Sequence, residues 1–131
     1  MPRCERPRPT AAPAPVKHFK WRPRGKRRTH DRPSWSEVAP CRPWLEGEVG
    51  AIRPRAIVAL GATAARAVVG RTVAITRERG QPLDSELAPL VVATFHPSAV
   101  LRARDRKDEL LQELTDDLRV VAKRLRIASS A

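Results

Sequence analysis

The stretch AIVALGATAARAVVG, residues 56–70, decides the fold class of this chain. Its first five residues form a short apolar run that is typical of a buried β-strand, and this run meets Gly61 directly. The segment ATAARAVV that follows favours a helix, which Gly70 ends. Strands that alternate with helices imply a layered α/β domain with a mainly parallel sheet, and its functional loops lie at the carboxyl ends of the strands.

Further strands are predicted after this unit, at residues 72–76 and 89–95. The second of them ends at His96, and Ser98 is placed to cap a short helix. A last helix is predicted from near Asp105. Its apolar side chains recur at steps of three and four, so they should form one stripe that packs on the sheet. The stripe consists of Leu111, Leu114, Leu118, Val121 and Leu125.

Two helices are predicted before the unit. Ser34 followed by Glu37 fits a capping box, so one helix should begin at SWSEV. Pro43 can open a second helical run, and Pro40 should kink or separate the two.

The amino-terminal third is poor in apolar periodicity. Residues 1–15 are rich in Pro and are expected to form a disordered leader, since they cannot bury enough surface to offset the ordering entropy. Residues 16–21, VKHFKW, are compatible with a strand, and RPRGKRRTHDRP after them should be an exposed loop. The expected organisation is a domain over residues 16–126, truncated at its amino terminus, with a short tail at 127–131.

Charge narrows the class of partner. The chain of 131 residues has 26 Lys and Arg against 14 Asp and Glu, a net charge of +12. Residues 1–32 hold eleven of the cations and two of the acids, a net +9. Such an imbalance favours a polyanion, with nucleic acid the leading candidate. No apolar run is long enough for a membrane span or a secretory signal, so a cytoplasmic protein without a membrane partner is expected.

The densest cationic site is Lys26, Arg27 and Arg28, just before His30. Cations packed this closely repel one another, and a bound phosphate backbone would relieve the repulsion. A solvated basic tail is the alternative interpretation of the same residues.

The segment HPSAVLR, residues 96–102, lies where a buried strand gives way to a helix. His96 could donate a hydrogen bond to developing negative charge there. Ser98 and the helix start could contact phosphate, Leu101 could act as a wedge between bases, and Arg102 extends this DNA-binding set. The simpler alternative is that His96 caps the strand. The Gly61 junction could also offer backbone amides to an anion, although a plain structural crossover is favoured there.

Five segments together resemble a known family, the iron–sulfur uracil-DNA glycosylases, and specifically their UdgX branch. The resemblance covers roughly residues 16–126, and the GKRRTH loop points to the UdgX branch. The segments, in order, are VKHFKW, GKRRTH, CRPWLE, IVALGATAARAVVG and VVATFHPSAVLR.

The resemblance implies excision of uracil from DNA, favouring single-stranded DNA, after the nucleotide is flipped out of the stack. His96 would stabilise the departing uracil anion, and His30 would then take the sugar C1′, which leaves the protein covalently attached. The family also carries a 4Fe–4S cluster, and Cys41 with His18 matches its second pair of ligands. Taken without the resemblance, Cys41 is by default a buried structural cysteine.

The chain departs from the family in one region. The family has a CxxC pair, a GExPG-type motif and part of the uracil pocket in an amino-terminal half, where this sequence has MPRCERPRPTAAPAP. Cys4 has no partner at CxxC spacing. The expectation is therefore an incomplete cluster and doubtful activity for the chain alone, with a separately encoded amino-terminal half as one explanation. A non-catalytic module that binds DNA or RNA and an inactive fragment are the alternatives.

Overall fold

The computed structural model describes residues 21–30 and 32–130, with only the backbone given for residues 21–23 and 28–30. The predictions for the leader, for Cys4 and for His18 fall outside the described residues. The elements in chain order are β1 (Trp21–Arg24), β2 (Arg27–His30), α1 (Trp35–Val38), a 3₁₀ turn (Ala39–Cys41), α2 (Arg42–Ile52), β3 (Ala56–Leu60), α3 (Ala62–Val69), α4 (Ile75–Glu78), β4 (Leu90–Thr94), α5 (Pro97–Arg102) and α6 (Lys107–Ser130).

A parallel pair of strands forms the centre of the domain. Strands β3 and β4 pair in parallel, with Ala56 opposite Leu90 and Leu60 opposite Thr94. One face of the pair packs against α2 and α3, in clusters that include Val91 and Ala93. The other face carries Thr94, which bonds to α6. The predicted layered α/β fold with a parallel sheet between helices is confirmed.

The unit quoted first has the predicted form. Helix α3 follows β3 after Gly61 and ends at Gly70, and both glycines have positive φ, 90° and 85°. These left-handed conformations are unfavourable for residues with a Cβ atom. Three small side chains of α3 are buried on the sheet, so the helix can approach the strands closely: Ala65, Ala67 and Val68.

The capping box and the two prolines also act as predicted. The carboxylate of Glu37 accepts a hydrogen bond from the Ser34 backbone N–H at 2.6 Å, which fixes the start of α1. Pro40 lies in the 3₁₀ turn that separates α1 from α2, and Pro43 lies in the first turn of α2.

The basic segment is a hairpin, so the prediction of an irregular loop is wrong. Strands β1 and β2 pair antiparallel, from Trp21 opposite His30 to Arg24 opposite Arg27. The two-residue connection contains Gly25 at a φ of 62°, a conformation that tight hairpin turns require. Gly25 therefore allows the turn that joins the two strands.

The strand predicted at residues 72–76 is also wrong. Val73 is buried beneath α3, and helix α4 begins at Ile75. The carboxylate of Glu78 accepts the backbone N–H of Ala74 at 2.8 Å and so stabilises a helical turn in place of an extended strand.

Helix α6 packs on the sheet with only part of the predicted stripe. Asp117 and Val121 are buried, at 4% and 7% exposure, whereas Leu111 and Leu118 are 49% and 45% exposed. The pairing of Asp117 with Thr94 turns the helix so that this part of the leucine stripe lies at its edge. The helix continues to Ser130, through residues assigned to a tail. Within the described part of the chain, no helix has the length and apolarity that crossing a bilayer requires.

Candidate active site at the carboxyl edge of the sheet

His96 lies two residues after β4 and is the N-cap of α5. Its carbonyl oxygen accepts a hydrogen bond from the backbone N–H of Ala99 at 2.9 Å. The prediction that Ser98 caps this helix is therefore wrong, because the His96 ring itself accepts the Ser98 backbone N–H. His96 thus caps a helix rather than a strand, and it is exposed at the sheet edge.

Hydrogen bonds to one nitrogen orient the His96 ring. Nδ1 accepts the backbone N–H of Ser98 at 3.1 Å and lies 2.8 Å from the Ser98 hydroxyl. A nitrogen that accepts a backbone N–H uses its lone pair, so this network assigns the proton of the neutral ring to Nε2. The exposed ring therefore offers an Nε2–H donor to a ligand.

Arg102 supports this arrangement from one turn along α5. It donates from Nε to the Ser98 carbonyl at 3.1 Å and from Nη2 to the Ser98 hydroxyl at 3.0 Å. The hydroxyl accepts from Arg102 and can donate to Nδ1, so the three side chains form one chain of hydrogen bonds. Ser98 and Arg102 position His96 in this structure, and their contact with DNA phosphate stays a prediction. Leu101 is 71% exposed beside them.

Gly61 brings the ends of the two strands together at this site. Its backbone N–H donates to the Thr94 carbonyl at 2.9 Å. A Cβ atom added at Gly61 would lie 3.4 Å from the Cβ atom of His96. The start of α3 and the start of α5 are therefore neighbours, and the sequence predicted this edge as the functional one.

A buried polar network supports the strand that carries His96. The Thr94 hydroxyl donates to Asp117 at 2.6 Å, and Arg79 donates to the other Asp117 oxygen at 2.8 Å. Arg79 also pairs with Glu113 at 3.3 Å and lies over the Phe95 ring at 5.6 Å. Thr94 is thus bound by Asp117 on α6, and Phe95 is contacted by Arg79 from the loop after α4.

The hairpin brings the predicted phosphate-binding residues onto one ribbon. Lys26 lies in the turn, and Arg24 and Arg27 are exposed and directly opposite each other. Like charges in that relation destabilise a hairpin unless anions screen them. Arg28 and His30 occupy β2, where the structure describes only their backbone.

Cys41 is a free thiol, 3% exposed, at the end of the 3₁₀ turn. A 4Fe–4S cluster needs four ligands. Within the described ranges, no three His, Cys, Asp or Glu side chains come close enough together to hold a metal ion. His18, the other predicted ligand, lies outside those ranges. The described residues therefore do not by themselves fit a cluster.

Two features of this region were not predicted. One is the network around Asp117, and the other is the stacking of Arg66 on Trp35, with the guanidinium carbon 4.4 Å from the ring centroid. No role was predicted from the sequence for Asp117 or for Arg66. Both depend on contacts between residues far apart in the sequence, for which a periodic pattern gives no signal.

A family comparison identifies the domain. The model of the uracil DNA glycosylase superfamily matches residues 14–119. The chain belongs to this superfamily. That assignment agrees with the five ordered segments and with a histidine at the end of a central strand.

Curated members of the superfamily are similar over most of the domain. The type-4 uracil-DNA glycosylase of Thermotoga maritima is 41% identical over 87 residues, which are 66% of this chain and 44% of the relative. The type-4 enzyme of Pyrobaculum aerophilum is 32% identical over 89 residues, covering 63% and 45%. The type-5 enzyme of that organism is 42% identical over 71 residues, covering 52% and 30%. The chain thus spans less than half the length of these uracil-DNA glycosylases.

Proposed function

We propose that this chain acts in the excision of uracil from DNA, with His96 as the residue that assists departure of the base. The observation that carries the proposal is the orientation of the His96 ring. Its Nδ1 is occupied by Ser98, which leaves Nε2–H as the donor at the exposed edge of the sheet. The superfamily assignment supplies the reaction, and the relatives' names supply the base.

The chemistry follows from where charge develops. When the bond between C1′ and N1 of uracil breaks, the electron pair stays on the base and the sugar becomes an oxocarbenium-like cation. A hydrogen-bond donor that is already in place stabilises the developing anion, because it costs no reorganisation in the transition state. The hydrogen bonds from Ser98 and Arg102 supply that preorganisation for His96.

The hairpin is proposed to hold the DNA backbone. Arg24 and Arg27 oppose each other across the ribbon, with Lys26 between them in the turn. Phosphates bound along this tip would remove the repulsion between the cations. A mobile single strand can follow a narrow ribbon and does not need unpairing before a base is flipped, so single-stranded DNA is the preferred substrate in this proposal.

The finer assignment is to the UdgX type. In that scheme the His30 imidazole lone pair forms a bond to C1′ of the cation, and the ring then loses its proton. The product is a covalent bond between protein and abasic DNA. The support is the GKRRTH segment, which places a histidine at the end of β2 in the basic hairpin.

Two motifs that the family uses are missing from this sequence, and the proposal has to account for them. The GExPG-type motif and the CxxC pair do not occur in the 131 residues. We propose that residues outside these 131 supply them, and that Cys41 and His18 contribute the remaining cluster ligands. We also propose that the protein works in the cytoplasm as part of a DNA-repair enzyme.

The proposal can be tested by detecting the covalent bond between the protein and DNA. The chain, joined to a GExPG-bearing amino-terminal half of a UdgX-type relative, is incubated with single-stranded DNA that contains one uracil. A band that survives hot detergent is expected, and thymine-containing DNA of the same sequence should give none. His30→Ala should abolish the band. If salt-sensitive binding occurs equally with both DNAs and neither an adduct nor free uracil forms, the chain is a non-catalytic DNA-binding module.

A further inference from the structure

A small pocket of about 170 Å³ lies between α1 and the start of α3, and its lining does not include His96, Ser98 or Arg102. Its polar wall contains two arginines and two threonines, and none of its lining residues, all within the described part of the chain, is acidic. The lining residues that matter here are Arg32, Trp35, Thr63, Arg66 and Thr72. A concave surface with two cations and no carboxylate selects for an anion.

Arg66 is the arginine of the pocket wall that a stacking contact holds in place. It is half-buried, and its guanidinium lies flat over the Trp35 ring, 4.4 Å from the centroid. Its Nε atom is buried and has no hydrogen-bond partner among the described residues. A buried donor without an acceptor is costly, and native structures rarely leave one unpaired. A phosphate bound against the guanidinium in the pocket would stabilise its charge.

The size and the walls of the pocket limit what can bind. Pockets for drug-sized ligands measure about 300–1,000 Å³, so this one suits a single small group. Arg66 covers a face of the Trp35 ring, which disfavours stacking of a nucleobase on that face. The guanidinium presents several N–H donors in a plane, the geometry that phosphate oxygens prefer.

The position of the pocket links the two parts of the proposed DNA site. Ala62 and Thr63 line it, and they directly follow Gly61, the neighbour of His96. Arg32, two residues after the end of β2, lines it as well. A strand that runs from the hairpin to His96 would therefore pass this pocket.

We infer that the pocket binds one phosphate group, with Arg66 as its principal ligand. The identity of that phosphate as part of a DNA strand rests on the proposed function. The site itself depends only on the pocket, its lining without acidic residues and the Arg66 guanidinium that Trp35 holds in its wall.

The site can be tested on the full chain with inorganic phosphate as the probe. The side-chain Nε–H signals of arginine are followed by ¹⁵N-edited NMR during a phosphate titration at constant ionic strength. A saturable shift of the Arg66 signal is expected, whereas no shift at concentrations that move other arginine signals overturns the site. Arg126→Gln is the matched control, because it removes the same charge from an exposed position on α6.

Two variants separate binding from folding. Arg66→Gln should abolish the saturable shifts of the neighbouring Thr63 and Thr72 backbone signals, and Arg126→Gln should keep them. Because Arg66 also stacks on Trp35, the glutamine variant could unfold, and thermal melting detects this. In that case Arg66→Lys replaces it in the binding measurement. The lysine variant keeps the charge and should bind more weakly than the wild type. Equal phosphate affinity in the wild type and in a folded Arg66 variant overturns the inference.

A DNA-binding experiment tests whether the phosphate that the pocket binds belongs to a DNA strand. Binding of a fluorescent single-stranded oligonucleotide should weaken roughly tenfold in Arg66→Gln, and the salt slope should fall by about 0.7. Arg126→Gln should change both much less. Equal effects in the two variants overturn the assignment to DNA. Phosphate binding in the pocket without any release of uracil would contradict the proposed function and leave this site standing.

Discussion

The hydroxyl of Thr94 on β4 donates a 2.6 Å hydrogen bond to the carboxylate of Asp117 on α6, and both residues are buried. The other Asp117 oxygen accepts from Arg79 at 2.8 Å. A buried carboxylate with partners on both oxygens is tolerated, but loss of a partner leaves polar groups unpaired in a low dielectric. The network therefore sets the position of α6 on the sheet and holds the strand that leads to His96.

Substitutions in this network should destabilise the fold strongly. Asp117→Ala should lower the free energy of unfolding on the order of 3 kcal/mol, since it leaves Arg79 without its shortest partner. Thr94→Val should cost about 1–3 kcal/mol through the lost donor. Urea denaturation measures both. The neighbouring Asp116→Ala is the control, because its pair with Arg119 is exposed and should be worth less than about 0.5 kcal/mol. Equal losses at Asp116 and Asp117 would disprove this account of the network.

Two glycines should respond to alanine in opposite directions. Gly61 has φ 90° and ψ 170°, a conformation nearly restricted to glycine, so Gly61→Ala should cost about 1–3 kcal/mol. Gly47 lies inside α2, and a Cβ atom added there would meet only open space, so Gly47→Ala should stabilise by about 0.5–1 kcal/mol. Thermal melting of the two variants beside the wild type gives both signs, and a stabilised Gly61→Ala would contradict the described junction.

Glu78 should make stability depend on pH. Two hydrogen bonds hold the pKa of Glu78 below its usual 4.5. The larger effect comes from the Arg71 guanidinium, and the smaller from the backbone N–H of Ala74. A carboxyl group with a lowered pKa in the folded state stabilises the fold above its unfolded pKa, and this contribution is lost as the pH falls through the folded pKa. The wild type should therefore melt above Glu78→Gln at pH 7, and the gap should close below about pH 4.5.

The control for that experiment is Glu86→Gln, because Glu86 is exposed. Its melting temperature should follow the wild type at every pH. A Glu78→Gln gap that is constant between pH 7 and pH 3 would show that the carboxylate charge does not act as described.

Local signals predicted the fold well where they acted within a few residues. The Ser34–Glu37 box, Pro43 and the glycine that ends α3 each specify a boundary by nearby hydrogen bonding, and each is confirmed. The strand prediction for residues 72–76 was wrong because a segment with a strand-like composition forms a strand only where a neighbouring strand can pair with it. The stripe on α6 was right for Val121 and wrong for Leu111 and Leu118, because Asp117, a charged residue, found a partner on the sheet.

The candidate site shows the same division. His96 could be placed from the strand that precedes it and the proline that follows. Its role as N-cap could not, because a histidine side chain rarely competes with serine at that position and only the Ser98 and Arg102 contacts reveal it. The Arg66 pocket depends on α1 meeting α3 in space, for which the sequence contains no local signal.

Binding of DNA should be sensitive to salt through the hairpin. With about four phosphates contacted, affinity for single-stranded DNA should fall roughly fiftyfold between about 50 and 200 mM salt. Alanine at Lys26, Arg27 and Arg28 together should flatten this dependence. Fluorescence anisotropy measures the slopes. Alanine at three exposed cations of α6, Lys123, Arg124 and Arg126, is the charge-matched control and should flatten the slope far less.

The rate of uracil release in a single turnover tests the central claim about His96 most directly. In the chain joined to a GExPG-bearing half, His96→Ala should slow release by about 10²–10³-fold, as expected for loss of one preorganised donor to a developing anion. His30→Ala should release uracil at close to the wild-type rate and form no adduct, because water can capture the same sugar cation. Release by His96→Ala at the wild-type rate would contradict the account.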